Sequence, residues 1–215
     1  MIHNFSKSNS IFNQFLAEIR DIDVQGDRMR FRRNLQRIAE IMGYELSKSL
    51  KYSEKTITTP LGEAETMLSN DPIVLATILR AGLPMHQGLL NYFDHAESAF
   101  VSAYRKHTTE EDFDIHVEYC ASPSIDKKTL VISDPMLATG NSMVMVYEAL
   151  KKYGKPKQIH LVVGIATEEA LKLIKKKFPD NVNIWVGAID DELTAQSYIV
   201  PGLGDAGDLA FGDKI

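Results

Sequence analysis

Residues 130–142 read Leu-Val-Ile-Ser-Asp-Pro-Met-Leu-Ala-Thr-Gly-Asn-Ser, and they combine the groups that hold a phosphorylated ligand. A short apolar run, Leu130-Val131-Ile132, halts at Asp134-Pro135. Small and hydroxyl-bearing residues follow, Ala138-Thr139-Gly140-Asn141-Ser142, and an amphipathic helix begins after them. In such a strand, loop and helix, free backbone N–H groups and the positive end of the helix dipole face a phosphate. The acid ahead of the loop is placed to hold a sugar's hydroxyls. No Gly-Lys-Ser/Thr closes the loop and three spaced glycines are missing, so it is neither a P-loop nor a dinucleotide fingerprint. Two arginines stand at comparable junctions, Arg80 after the apolar run Pro72–Leu79 and Arg105 after Ser98–Tyr104. The planar fork of arginine suits pyrophosphate oxygens. Open α/β sheets bind ligands at the carboxyl ends of their strands, where these residues fall. Two arginines, one acid and one phosphate loop on one edge describe a site for a polyphosphorylated sugar.

The elements that must position these groups are legible in outline. Arg28–Met42 reads as a helix with Phe31, Leu35, Ile38, Ala39 and Met42 on one stripe and Gly43 as its stop. Its other positions carry Arg28, Arg30, Arg32, Arg33 and Arg37, a solvated basic face or a meeting place for phosphate or a partner subunit. Lys55–Thr59 and Glu63–Leu68, joined across Pro60-Leu61-Gly62, form a hairpin arm. From residue 72 onward strands alternate with helices, which indicates a parallel sheet with crossovers. The strands are Pro72–Leu79, Ser98–Tyr104, Leu130–Ile132, Ile159–Gly164 and Val182–Val186. Helices follow at Leu83–Tyr92, at Met143–Leu150 and after Thr167, whose hydroxyl caps a segment with Glu168 and Glu169 first and Lys175–Lys177 last. Lys106–Ser124 is a polar excursion suited to a hood over a site, and Tyr198–Asp208 is an ordered, glycine-rich loop.

The bulk of the chain narrows the classes further. Its 215 residues suit one domain: residues 1–71 as helix and arm, 72–195 as the α/β core and 196–215 as a carboxy-terminal loop. A formal charge of −5 argues against a dedicated nucleic-acid binder. The six histidines and the lone Cys120 show no zinc spacing, and no Gly-x-Ser-x-Gly elbow occurs. One cysteine, no signal-peptide core and no long apolar run point to a cytoplasmic protein without membrane attachment.

Three segments resemble the uracil phosphoribosyltransferases, a branch of the type I phosphoribosyltransferases. Asp134-Pro135-Met136-Leu137-Ala138-Thr139-Gly140-Asn141-Ser142 is similar to the family's loop for 5-phosphoribosyl-1-pyrophosphate (PRPP). Ile78-Leu79-Arg80-Ala81-Gly82-Leu83 is similar to its pyrophosphate loop, and Tyr198-Ile199-Val200-Pro201-Gly202-Leu203-Gly204-Asp205-Ala206-Gly207-Asp208 to its uracil loop. The resemblance runs from about Arg30 to Gly212. It implies a mostly parallel central sheet flanked by helices, with a hairpin arm and a hood at about 106–124. It implies that uracil and PRPP give UMP and pyrophosphate, with Mg2+ carried by PRPP rather than by a protein site. Carried over by position, Arg80 and Arg105 contact pyrophosphate, Asp134 holds ribose hydroxyls, and residues 135–142 line PRPP, with Ala138–Ser142 cradling the 5′-phosphate. Ile199, Gly204 and Ala206 present backbone groups to uracil, and Asp205 stands between base and PRPP. Asp134, Asp205 and Arg105 are the residues implied closest to the chemistry. The resemblance also implies a homo-oligomer, brings in GTP as a candidate effector, and includes no nucleic-acid partner.

One expectation attaches to a departure from the pattern, and one to the pyrophosphate loop. Asn141 stands where the family commonly has a second glycine; if its φ is positive, asparagine is the least costly replacement. The peptide joining Arg80 to Ala81 is a candidate for strain or a cis bond. A rival reading keeps the fold but makes the protein an RNA-binding sensor of UMP or PRPP, with the arginine-rich helix as its only support. Another keeps the enzyme and changes the base.

Overall fold

The computed structural model describes residues 1–107 and 113–214, with side chains outside 103–117. In chain order the elements are β1 (Ile2–Asn4), α1 (Phe12–Arg20), α2 (Arg28–Ser47), β2 (Tyr52–Thr59), β3 (Gly62–Ser69), β4 (Ile73–Leu79) and α3 (Leu83–Leu90). They continue with β5 (Glu97–His107), β6 (Phe113–Ala121), β7 (Thr129–Leu137), α4 (Asn141–Leu150), β8 (Gln158–Thr167) and α5 (Glu168–Lys177). The chain closes with β9 (Val182–Asp190), β10 (Glu192–Leu193), β11 (Ile199–Val200) and α6 (Ala206–Phe211). Seven strands form one sheet in the order β1-β9-β8-β7-β4-β5-β6, parallel except for the β5–β6 pair.

The central strands read as continuous apolar runs because both faces are covered. Val74, Ala76, Leu130, Ile132, Leu161, Val163 and Ile184 point to one face, where Met143, Val146, Leu150, Leu171 and Ile174 of α4 and α5 pack. Leu75, Val131, Val162 and Trp185 point to the other, against Phe31, Leu35, Ile38, Met42 and Leu46 of α2 with Met85 and Leu89 of α3. That stripe on α2 is the expected one, but the helix runs on to Ser47. Gly43 is a packing residue instead of a stop. A Cβ there would stand 3.3 Å from Leu89 Cδ2, and one on Gly88 across the crossing would meet Gln36 O at 2.3 Å. The arm β2–β3 forms, joined by Pro60-Leu61, with β2 starting at Tyr52 rather than Lys55 and β3 running from Gly62 to Ser69.

Two strand ends also differ from expectation. β7 does not halt at Asp134 but continues to Leu137. Its pairing with β4 ends at Ser133, whereas its pairing with β8 continues through Asp134, Met136 and Leu137. Pro135, which has no N–H to give, is tolerated where one side of the strand no longer bonds to a neighbour. Arg105 lies inside β5 rather than after it, paired with Ile115. The segment read as a hood therefore includes β6 of the main sheet, and its positions 108–112 lie outside the described residues. β1 and α1 have no counterpart in the sequence reading. No helix among the described residues is long and apolar enough to cross a membrane.

Candidate active site

The register brings β4 and β7 to the same edge, with Thr77 opposite Ser133. The turn holding Arg80 thus leaves one strand beside the point where Asp134 leaves contact with it. The two backbones approach so closely there that a Cβ on Gly82 would meet Thr77 Oγ1 at 2.2 Å and Ser133 O at 2.9 Å. A cis peptide lies at Leu79–Arg80, one bond before the Arg80–Ala81 peptide that was the candidate.

Asp134 is half-buried, and burial pushes its carboxyl up to about 8 against the opposing hydrogen bond from the Met136 N–H. Pro135 is buried, Met136 is half-buried, and Leu137 is a core residue at the end of β7, so only its backbone faces the loop. Ala138 and Thr139 then lead into Gly140, whose φ of +81° turns the chain into α4. Asn141 is an exposed first residue of α4 and is not among the positive-φ positions. The left-handed residue is Gly140 alone, so the loop makes no conformational demand on position 141. No side chain caps α4, and the only side-chain bond to its first N–H is a long one from Asn141 N to Thr139 Oγ1 at 3.4 Å. These N–H groups can turn to an anion. From the next strand, Thr167 Oγ1 donates to Ala138 O at 2.7 Å and accepts from Ala170 N at 3.0 Å. Read from sequence only as a helix cap, Thr167 also ties down the loop.

The glycine-rich turn is anchored by a pair that sequence reasoning missed. Arg20 and Asp190 bond bidentately at 2.8 and 2.9 Å, and Asp190 Oδ2 also accepts from Gly202 N at 2.9 Å. Gly202 has φ +57°, and a Cβ on it would lie 2.0 Å from Ile199 O. Ile199 packs in the core, which leaves its backbone to serve the turn. Gly204 has φ +93° with open space where a Cβ would be, so its requirement is conformational. Asp205 caps α6, accepting from Gly207 N at 2.8 Å and Asp208 N at 3.0 Å. Burial alone would raise its carboxyl, but the Asp208 N–H and Lys214 outweigh it and hold it below the usual range. Ala206 opens α6 and is buried.

Arg80 joins the two halves, donating to Asp208 Oδ1 at 2.9 Å and to Gly212 O at 3.2 Å. Arg105 sits on the strand next to β4, three residues past the Leu79–Ser102 pair, and its side chain is outside the described set. The basic face of α2 is largely engaged within the chain. Arg30 pairs with Glu18 at 3.0 Å, Arg33 lies 3.6 Å from Glu40, and Arg32 donates to Ala210 O at 2.7 Å. The feature that supported an RNA-binding reading thus has partners within the chain, although Arg30 and Arg33 stay exposed.

The mostly parallel sheet, covered by helices on both faces, has the type I phosphoribosyltransferase fold. A hypoxanthine phosphoribosyltransferase from Staphylococcus aureus shares the fold, with a TM-score of 0.53 at 16% identity over 86% of this chain and 83% of that one. The family model for uracil phosphoribosyltransferase matches residues 6–213, and the chain belongs to that family. A uracil phosphoribosyltransferase of Porphyromonas gingivalis is 56% identical over 96% of both chains. One from Pyrococcus furiosus is 40% identical over 100% of this chain and 91% of its own. The AQ2163 protein of Aquifex aeolicus superposes with a TM-score of 0.88 at 32% identity, covering 100% of each chain.

Proposed function

We propose that the protein transfers the 5-phosphoribosyl group of PRPP to N1 of uracil, giving UMP and pyrophosphate, a pentosyltransferase reaction of cytoplasmic pyrimidine salvage. The observation that carries this reading is that Arg80 bonds Asp208 Oδ1 and Gly212 O, which brings the arginine assigned to pyrophosphate beside the helix that follows the turn assigned to the base. Backbone N–H groups of Ala138–Ser142 hold the 5′-phosphate, and Asp134 accepts from ribose hydroxyls. Arg80, joined by Arg105 from β5, takes up the charge that builds on the departing pyrophosphate as the anomeric C–O bond breaks and the C–N bond forms. Ile199, Gly204 and Ala206 offer main-chain donors and acceptors to the uracil edge, where a 4-amino group as in cytosine would meet a donor. Positioning and charge stabilisation supply the rate, so no dedicated base is assigned.

Asp134 and Asp205 would suit a magnesium ion carried on PRPP, since carboxylate oxygens suit a hard cation and the contact of Asp205 Oδ2 with Lys214 Nζ, at 3.4 Å, is a long one. The ion would neutralise pyrophosphate charge. A two-stranded arm with Ile57, Leu61, Met67 and Leu68 exposed is unlike a self-sufficient element, which supports a homo-oligomer. The test is incubation with PRPP, magnesium and each of uracil, cytosine, orotate and hypoxanthine, with and without GTP. UMP from uracil alone is expected, and absence of UMP overturns the reading.

The Thr167 contact gives a sharper check. Thr167→Val keeps the shape but loses both bonds, costing about 1–2 kcal/mol of stability. The KM for PRPP should rise about five- to tenfold, with Thr167→Ser near wild type. Equal KM values for the valine and serine variants would count against the tether.

A further inference from the structure

The contact between Arg80 and α6 is placed where a substrate anion would have to compete with it. Arg80 is 39% exposed and Asp208 30% exposed at their side chains. The guanidinium lies over Gly207, with Nη2 at ordinary van der Waals distance, 3.7 Å, from where a Cβ there would stand. Lys214 Nζ lies 3.4 Å from Asp205 Oδ2 and 4.0 Å from Asp208 Oδ1. Two carboxylates and two cations therefore meet at the start of the helix that carries the base turn.

We propose that Asp208 is an exchange counter-ion for Arg80. It holds the guanidinium until the pyrophosphate group of PRPP takes it, and the exchange ties occupancy of the pyrophosphate subsite to the position of α6. This rests on the assignment of Arg80 to pyrophosphate made above. The exchange is cheap for three physical reasons. A half-exposed ion pair is weak, so releasing it lowers affinity only about two- to fivefold. Pyrophosphate offers several charged oxygens to the same fork and binds it more strongly than one carboxylate. Asp208 is not abandoned when Arg80 leaves, because it sits in the first turn of α6, where the helix dipole favours a negative charge, with Lys214 nearby. Gly212 O, the second acceptor of Arg80, follows the end of α6, so the release frees both ends of that helix at once.

Asp208→Asn removes the competing charge but keeps the side chain's shape. Magnesium pyrophosphate, titrated calorimetrically without uracil, should bind the variant about two- to fivefold more tightly than wild type. The KM for PRPP should fall in step while the KM for uracil rises, because α6 has lost a tie. A merely structural role for Asp208 would weaken both substrates or neither. In the wild-type protein, saturation with magnesium pyrophosphate should also speed amide hydrogen exchange in residues 206–211. Pyrophosphate binding that is unchanged or weaker in Asp208→Asn, or unaltered exchange in wild type, overturns the exchange while UMP formation stands. A wild-type protein that forms no UMP and binds no pyrophosphate overturns the assignment of Arg80 as well.

Discussion

Asp134→Asn is expected to lose at least a hundredfold in turnover while becoming more stable above pH 8. Turnover falls because an amide cannot supply the negative charge that ribose hydroxyls and the developing cation call for. Stability rises because the wild-type carboxyl is held at about 8 by burial, far above its ordinary 3.8. For a folded-state value raised in this way, the native protein keeps a proton that the unfolded chain has already released. Stability therefore declines as pH rises from about 4 towards 8, and is lowest above the folded value. An asparagine carries no such penalty. Allowing for the partial exposure of Asp134, the gain is about 2 kcal/mol at pH 9 and vanishes near pH 4.

The same displaced value couples substrate binding to protons. If the carboxylate accepts from ribose hydroxyls, PRPP binding at pH 7 must expel close to one proton per site, and affinity should rise about tenfold between pH 7 and pH 9. Calorimetry of PRPP with magnesium in two buffers of different ionisation enthalpy reads the proton count directly. A wild-type count of zero, or the same pH slope in Asp134→Asn, would remove Asp134 from the ribose site.

The second large effect concerns a residue remote in sequence from every loop of the site. Arg20→Ala strips the partner from Asp190, whose side chain is only 7% exposed. An uncompensated buried carboxylate costs about 3 kcal/mol, which is about 6–12 °C in melting temperature for a chain of this size. Asp190 also accepts from Gly202 N, so the glycine-rich turn, proposed above to hold the base, should loosen. The KM for uracil is expected to rise at least tenfold while PRPP binding changes little. Arg20→Lys should rescue stability in part but not uracil binding, since an ammonium cannot fork across both carboxylate oxygens. A uracil KM that does not move in Arg20→Ala would show that Arg20 serves only the fold.

These two residues mark what was legible in the sequence and what was not. Asp134, Arg80 and the loop to Ser142 are local: an apolar run, an acid and small residues lie consecutively, so their chemistry can be read along the chain. The β4 and β8 runs were equally plain, because strands buried on both faces have no polar alternation to blur them, whereas the end of β7 was hidden by Asp134-Pro135. Arg20 and Asp190 are 170 residues apart, and neither sits in a motif. Thr167 revealed its cap because Glu168 and Glu169 follow it, but its hold on Ala138 exists only once β7 and β8 are paired. Gly43 misled because a glycine that ends a helix and one that admits a neighbouring helix read alike. Asn141 drew attention for a backbone state that Gly140 alone adopts.

The edge strand β1 has a consequence in time rather than in space. Ile2 lies beside Ile184 in the finished sheet, so β1 has to wait until a partner 182 residues further along the chain has been made. At usual rates of synthesis, about 5–20 residues per second, that wait is roughly ten to forty seconds. The Arg20 fork and the bond from Arg32 to Ala210 wait as long, because both reach forward to partners beyond β8. A nascent chain that has already built β4, β5, β6 and β7 still lacks its glycine-rich turn. Under the proposed function, such an intermediate would hold a phosphate before it would recognise a pyrimidine.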